Sequence, residues 1–110
     1  MEIKTSDEDG ITIITPTGRV DTSTAKAFED GVMKAVDTNN KVAIRFNEID
    51  YISSAGLRVV LMAGKKMNAS KGVLVLTDMP EKIFAVFKMS GFDKILKICA
   101  SIDECKCFFN

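Results

Sequence analysis

Apolar positions change period repeatedly along this 110-residue chain, and each change predicts an element. Ile11 and Ile13 alternate within ITIITP, which is separated from EIKTS by the turn DEDG, so the two runs predict a β-hairpin. Past the TPTG turn, Asp21, Thr22, Ser23 and Thr24 offer several N-cap side chains. Ala25, Phe28, Val32, Ala35 and Val36 then recur at helical spacing. The run Thr38-Asn39-Asn40 ends that helix, and Val42, Ile44 and Phe46 alternate as the next strand.

The stretch YISSAGLRVVLMAGKKM, residues 51–67, passes from a strand end into a helix with Leu57, Val60, Leu61 and Gly64 along one face. VLVLT is apolar at successive positions, as in a strand covered on both faces. Pro80 suits the first turn of a further helix with an Ile83, Val86, Phe87 stripe, and Gly91 supplies its left-handed stop. KILKI predicts a short strand. Ser101 and Glu104 then form a capping box for a last helix that turns Ile102, Cys105 and Phe108 or Phe109 inward. The order β-β-α-β-α-β-α-β-α predicts an α/β fold in one domain over residues 1–110. Its mixed β-sheet carries about four helices, all in one layer system.

Composition narrows the function classes. Fifteen basic and fifteen acidic residues cancel, with no dense Lys/Arg block, so nucleic acid is not an expected partner. Apolar runs such as GVLVLT fall far short of the roughly 18 residues a bilayer span needs. MEIKTSDEDG lacks the apolar segment of a signal peptide; no membrane association is expected, and the expected compartment is the cytoplasm. The chain has no histidine, which removes Ser-His-Asp and Cys-His nucleophiles together with the commonest general base. Three cysteines, Cys99, Cys105 and Cys107, are an odd number and fall short of the four ligands of structural zinc. They are expected as buried or half-buried thiols rather than a disulfide framework. Neither enzymatic activity nor a cofactor or metal is expected.

The chemistry that remains lies at the strand-to-helix junction. Ser53 and Ser54 fall at the start of the helix that follows Ile52, and one of them is explained as an N-cap, worth about 1 kcal/mol. The other hydroxyl stands where free N–H groups and the positive end of the helix dipole favour an anion, so it is open to phosphorylation or to a bound phosphate.

YISSAGLRVVL resembles the signature of the STAS domains, the module named from sulfate transporters and anti-sigma factor antagonists, in which a serine precedes a small residue, Gly and Leu at a helix start. Upstream, GRVDTSTAKAFE resembles the family's Gly-x-apolar-Asp followed by a Thr-rich helix start; downstream, KMSGFDKILKI is similar to its helix end and last strand. The three matches occur in the family's order across nearly the whole chain. The resemblance implies an anti-sigma factor antagonist: a module that sequesters an anti-sigma factor serine kinase, is released when that kinase phosphorylates the signature serine, and is reset by a serine phosphatase. By position the acceptor is Ser54, two residues before Gly56, with Ser53 the second choice; many antagonists have Asp where Ser53 stands. The resemblance places Asp21 on the same surface. Asp21, Ser53, Ser54, Ala55, Arg58 and Met62 are therefore the candidate partner-binding residues, with Val59 and Lys66 also expected on the exposed side of the helix. Two other readings of the same chain are a STAS accessory subunit of a transport or sensory complex that is never phosphorylated, and a small-ligand or nucleotide-binding STAS module.

Overall fold

The computed structural model describes residues 1–109. Strands β1 (Ile3–Glu8) and β2 (Ile11–Pro16) form the expected hairpin. Both turn residues, Asp9 and Gly10, take positive φ (53° and 82°), which matches the turn to the twist of the strands. Strands β4 (Lys41–Arg45), β6 (Val73–Thr77) and β7 (Lys97–Cys99) extend the sheet in the order β1-β2-β4-β6-β7, with every pairing after the hairpin parallel. The sheet is mixed because the first connection is a hairpin and the later ones are helical crossovers.

Alternation along the central strands divides the core in two. Ile14, Val42, Ile44, Leu74 and Leu76 face helices α1 (Ala25–Thr38), α2 (Ser54–Ala69) and α3 (Glu81–Met89). Phe28, Val32, Val60, Met67, Ile83 and Phe87 fill that side, each contributing roughly 1.5–3 kcal/mol by burial. Phe46 meets Phe87 edge to face with ring centroids 5.8 Å apart. Ile11, Ile13, Ala43 and Val75 point to the opposite face, where the short helix α4 (Ile102–Cys105) supplies Ile102 and Cys105, with Phe109 beyond it. The helices therefore lie on both faces of the sheet, as the continuous apolar run of β6 implied. Phe109 is the inward residue of the terminal pair, while Phe108 is 42% exposed. Lys106 clamps this corner to the hairpin turn through Asp9 at 2.9 Å, Asp103 at 3.2 Å and Glu8 at 3.6 Å. The hydrogen bond to Asp9, followed by that to Asp103, holds its ammonium above the usual lysine range.

Four local expectations change. KILKI is not a strand throughout: a 3-10 turn takes Phe92–Lys94, and β7 begins only at Lys97. Two short strands, β3 (Gly18–Val20), unforeseen in the sequence, and β5 (Ile49–Ile52), foreseen only as a strand end at Tyr51 and Ile52, pair in parallel as a separate ribbon. Cys99 and Cys105 are joined in a disulfide rather than held as thiols; the turn between β7 and α4 brings their Cα atoms to 5.8 Å, and Cys107 is left free and exposed. Val59 is buried, 5% exposed, because the inward stripe of α2 centres on Gly56, Val60, Ala63 and Met67 and Val59 falls within that arc. The same rotation leaves Leu61 and Gly64 only half-buried at its edge.

Candidate functional site

The β3–β5 ribbon positions the junction that carries the two serines. Val20 pairs with Ile52, both buried, and the Ser53 N–H donates to the Val20 carbonyl at 2.8 Å. Asp21 follows Val20 out of β3 and Ser53 follows its partner Ile52 out of β5, so both leave the same end of the ribbon, with Ser54 next along the chain. Gly56 permits the close approach: a Cβ there would stand 2.6 Å from Val20 Cγ1 and 2.7 Å from Ile52 Cγ1. Only glycine lets the first turn of α2 rest on this ribbon without displacing two stiff β-branched side chains.

The two serines separate in role. Ser53 is the N-cap of α2, in extended conformation (φ −86°, ψ 172°), and its Oγ accepts from the Gly56 N–H at 3.3 Å while its carbonyl accepts from the Leu57 N–H at 3.0 Å. Ser54 is the first residue of the helix proper and is exposed; among the described residues no hydrogen bond engages its hydroxyl. One hydroxyl is consumed by the helix and the other is presented to solvent at the positive end of the helix dipole.

Asp21 is not a simple helix cap. Its Oδ1 accepts from the Ser23 hydroxyl at 2.7 Å, the Ser23 N–H at 2.9 Å and the Thr24 N–H at 3.2 Å. The Ser23 hydroxyl is the main cause holding its carboxyl below the usual aspartate range, so Asp21 is an anion at neutral pH. Thr24 is the N-cap of α1 by position but makes no side-chain cap bond. Its hydroxyl instead donates to the Arg19 carbonyl at 2.6 Å and accepts from the Asp21 N–H at 2.9 Å, which fixes the loop.

Alternation along the ribbon turns Val20 and Ile52 inward and sets Arg19, Asp21, Tyr51 and Ser53 on the outer face. Arg19 and Tyr51 were missed in the sequence. The guanidinium lies 4.4 Å over the Tyr51 ring and 3.7 Å from Asp21, a cation held between an aromatic face and a carboxylate. The period-two pattern around the apolar pair Val20 and Ile52 was the signal that could have found them. On the helix, Ala55 is half-buried, Arg58 is exposed one turn from Ser54, and Met62 is 41% exposed; Lys66 pairs with Asp37 of α1 and is committed to the helix pair. Among the described residues no group of three potential metal ligands is brought together.

The profile of the STAS domain matches residues 2–105. BtrV of Bordetella bronchiseptica, named as an anti-sigma factor antagonist, is 34% identical over 102 residues, covering 92% of this chain and 88% of that protein. The anti-sigma-B factor antagonist of Listeria monocytogenes is 28% identical over 100 residues, covering 89% and 86%. Among solved structures, an anti-sigma factor antagonist of Thermotoga maritima superposes with a TM-score of 0.87 at 24% identity, over 94% of this chain and 91% of that one.

Proposed function

We propose, for a chain that belongs to the STAS domain family, that it is an anti-sigma factor antagonist whose grip on an anti-sigma factor serine kinase is broken by phosphorylation of Ser54. The observation that carries the reading is the division of labour at the start of α2. Ser53 is engaged as the cap, and Ser54 stands exposed with no hydrogen bond to its hydroxyl among the described residues. A kinase can reach the Ser54 hydroxyl without unwinding the helix, whereas the Ser53 hydroxyl is engaged with the Gly56 N–H.

Magnitudes indicate what the phosphate does. Phosphorylation adds about −1.5 to −2 charges at neutral pH. Within the free protein the helix N-terminus favours that charge by about 0.3–1 kcal/mol, so the domain stays folded. In a docked complex the same dianion is stripped of water within the interface, at a cost of several kcal/mol. The interface term wins, and the phosphate releases the partner rather than unfolding the domain. Arg58 and Met62 extend the docking surface along α2, one as a cation and the other as an adaptable apolar contact. The chain acts as ligand and phosphoacceptor, not as an enzyme, and a serine phosphatase restores it.

The reading belongs to the cytoplasm, where the kinase works. No helix among the described residues is long and apolar enough to cross a membrane.

The test is phosphorylation by the cognate kinase followed by mass spectrometry of the wild type, Ser53→Ala and Ser54→Ala. Modification is expected in the wild type and in Ser53→Ala and lost in Ser54→Ala. Full phosphorylation of Ser54→Ala at Ser53 would refute the assignment.

A further inference from the structure

At the far end of α2 from the serines, a cavity of about 390 Å³ opens between that helix and the segment leading into β7. One wall is a single helical stripe, Leu61, Gly64, Lys65 and Asn68, at spacings of three and four residues. Leu74 of β6 contributes to the floor, and Leu96 stands opposite; a Cβ on Gly64 would lie 2.9 Å from Leu96 Cδ2, so at that point the wall is backbone against leucine. The apolar part of the cavity is open because neither α3 nor the 3-10 turn covers it, and Ile95 at its edge is 63% exposed.

Charge sets the character of what would fill it. Lys65 and Lys97 flank the cavity from opposite walls, and no acidic residue lines it. Among the described residues neither lysine takes part in an ion pair, in contrast to the adjacent Lys66, which is paired with Asp37. The Asn68 amide adds a hydrogen-bond donor at the same rim. An apolar trough with two uncompensated cations and an amide at its edge complements a molecule with an apolar body and one anionic head. At the ~30 Å³ that a water claims in the liquid, the space corresponds to about a dozen methylene-sized groups.

We infer that this cavity binds a free medium-chain acyl carboxylate, its tail along Leu61, Leu74 and Leu96 and its head between Lys65 and Lys97. The site is separate from the serine junction and does not depend on the antagonist reading.

Dodecanoate titrated into the isolated chain, followed by amide chemical shifts, tests it. Saturable shifts are expected at Gly64, Lys65, Asn68 and Leu96, with dodecanol, which lacks the charge, and octanoate, which lacks four methylenes, both binding more weakly. Lys65→Ala combined with Lys97→Ala should weaken dodecanoate about tenfold, as expected for two exposed ion pairs lost together, while leaving the melting temperature unchanged. Equal affinity for dodecanol and dodecanoate, shifts confined to another part of the chain, or an unchanged affinity in the double variant would overturn the proposal. So would sedimentation of the chain with phosphatidylglycerol vesicles that is lost in the double variant, since the lysines would then serve a lipid surface.

Discussion

Replacing each serine in turn should produce different stability effects, because only one of them caps the helix. In Ser53→Ala the Gly56 N–H loses the Oγ that accepts its hydrogen bond at 3.3 Å, at a half-buried position where water replaces it incompletely. Loss of such a cap costs typically about 1 kcal/mol. With an unfolding entropy of about 2.1 cal/mol/K per residue, a domain of this size should lose roughly 4 °C in Tm. Ser54→Ala changes an exposed first-turn residue whose hydroxyl has no intramolecular partner among the described residues, and alanine is the better helix former by a few tenths of a kcal/mol. Its Tm should be unchanged or up to about 2 °C higher. Ser54→Asp should be stabilised by about 0.5 kcal/mol through the dipole. Calorimetric melts of the three variants with the wild type at one pH and salt provide the comparison. A Ser54→Ala variant as destabilised as Ser53→Ala, or a reversal of their order, would refute the assignment of cap and free hydroxyl.

Gly56→Ala should destabilise by about 1–2 kcal/mol in urea denaturation, because strain against Val20 and Ile52 exceeds the roughly 1 kcal/mol helix-propensity gain; a stabilised variant would show that the contact is loose. Asp21 has a folded-state pKa below 3.8, so it contributes stability that is present at neutral pH and lost as pH falls through that lowered value. Asp21→Asn should therefore show a shallower acid limb below pH 3.8 than the wild type, measured by urea midpoints across pH, and an identical limb would contradict the Ser23 contact. Thiol titration of the denatured, unreduced protein should count Cys107 alone, rising to all three cysteines after reduction. Closing so short a loop contributes about 2 kcal/mol, so reduction should lower the unfolding free energy by about that amount.

Elements with a strong period were legible in the sequence. The stripe of α1 buries Phe28, Val32, Ala35 and Val36 with Ala25 half-buried, that of α3 buries Ile83 and Phe87 with Val86 half-buried, β4 buries Val42 and Ile44 together with Ala43 between them, and β6 buries its run from Leu74 onward. Ser101 caps α4 as its spacing with Glu104 predicted, and Gly91 takes the left-handed conformation at φ 79°. Strand β3, and the pairing of β3 with a β5 legible only as a strand end, escaped because three or four residues are too few to establish a period and their pairing is purely tertiary. Arg19 and Tyr51 escaped with them. The pairing of Cys99 with Cys105 depends on a turn that sequence spacing does not encode. Val59 was misplaced because a buried arc centred one position away shifts the whole boundary between core and surface. The serines were found, but which of them caps α2 depends on a helix start located to one residue, beyond what periodicity resolves.

The central claim is that a phosphate on Ser54 breaks a complex without unfolding the domain. Its most direct test is the affinity of the anti-sigma factor for the unmodified chain and for the chain phosphorylated stoichiometrically at Ser54, by isothermal titration calorimetry with a melting curve of each form. The account predicts that phosphorylation weakens binding by at least about 100-fold while Tm stays the same or rises. Equal affinity for the two forms would contradict it and leave Ser54 as an exposed first-turn residue without a switching role.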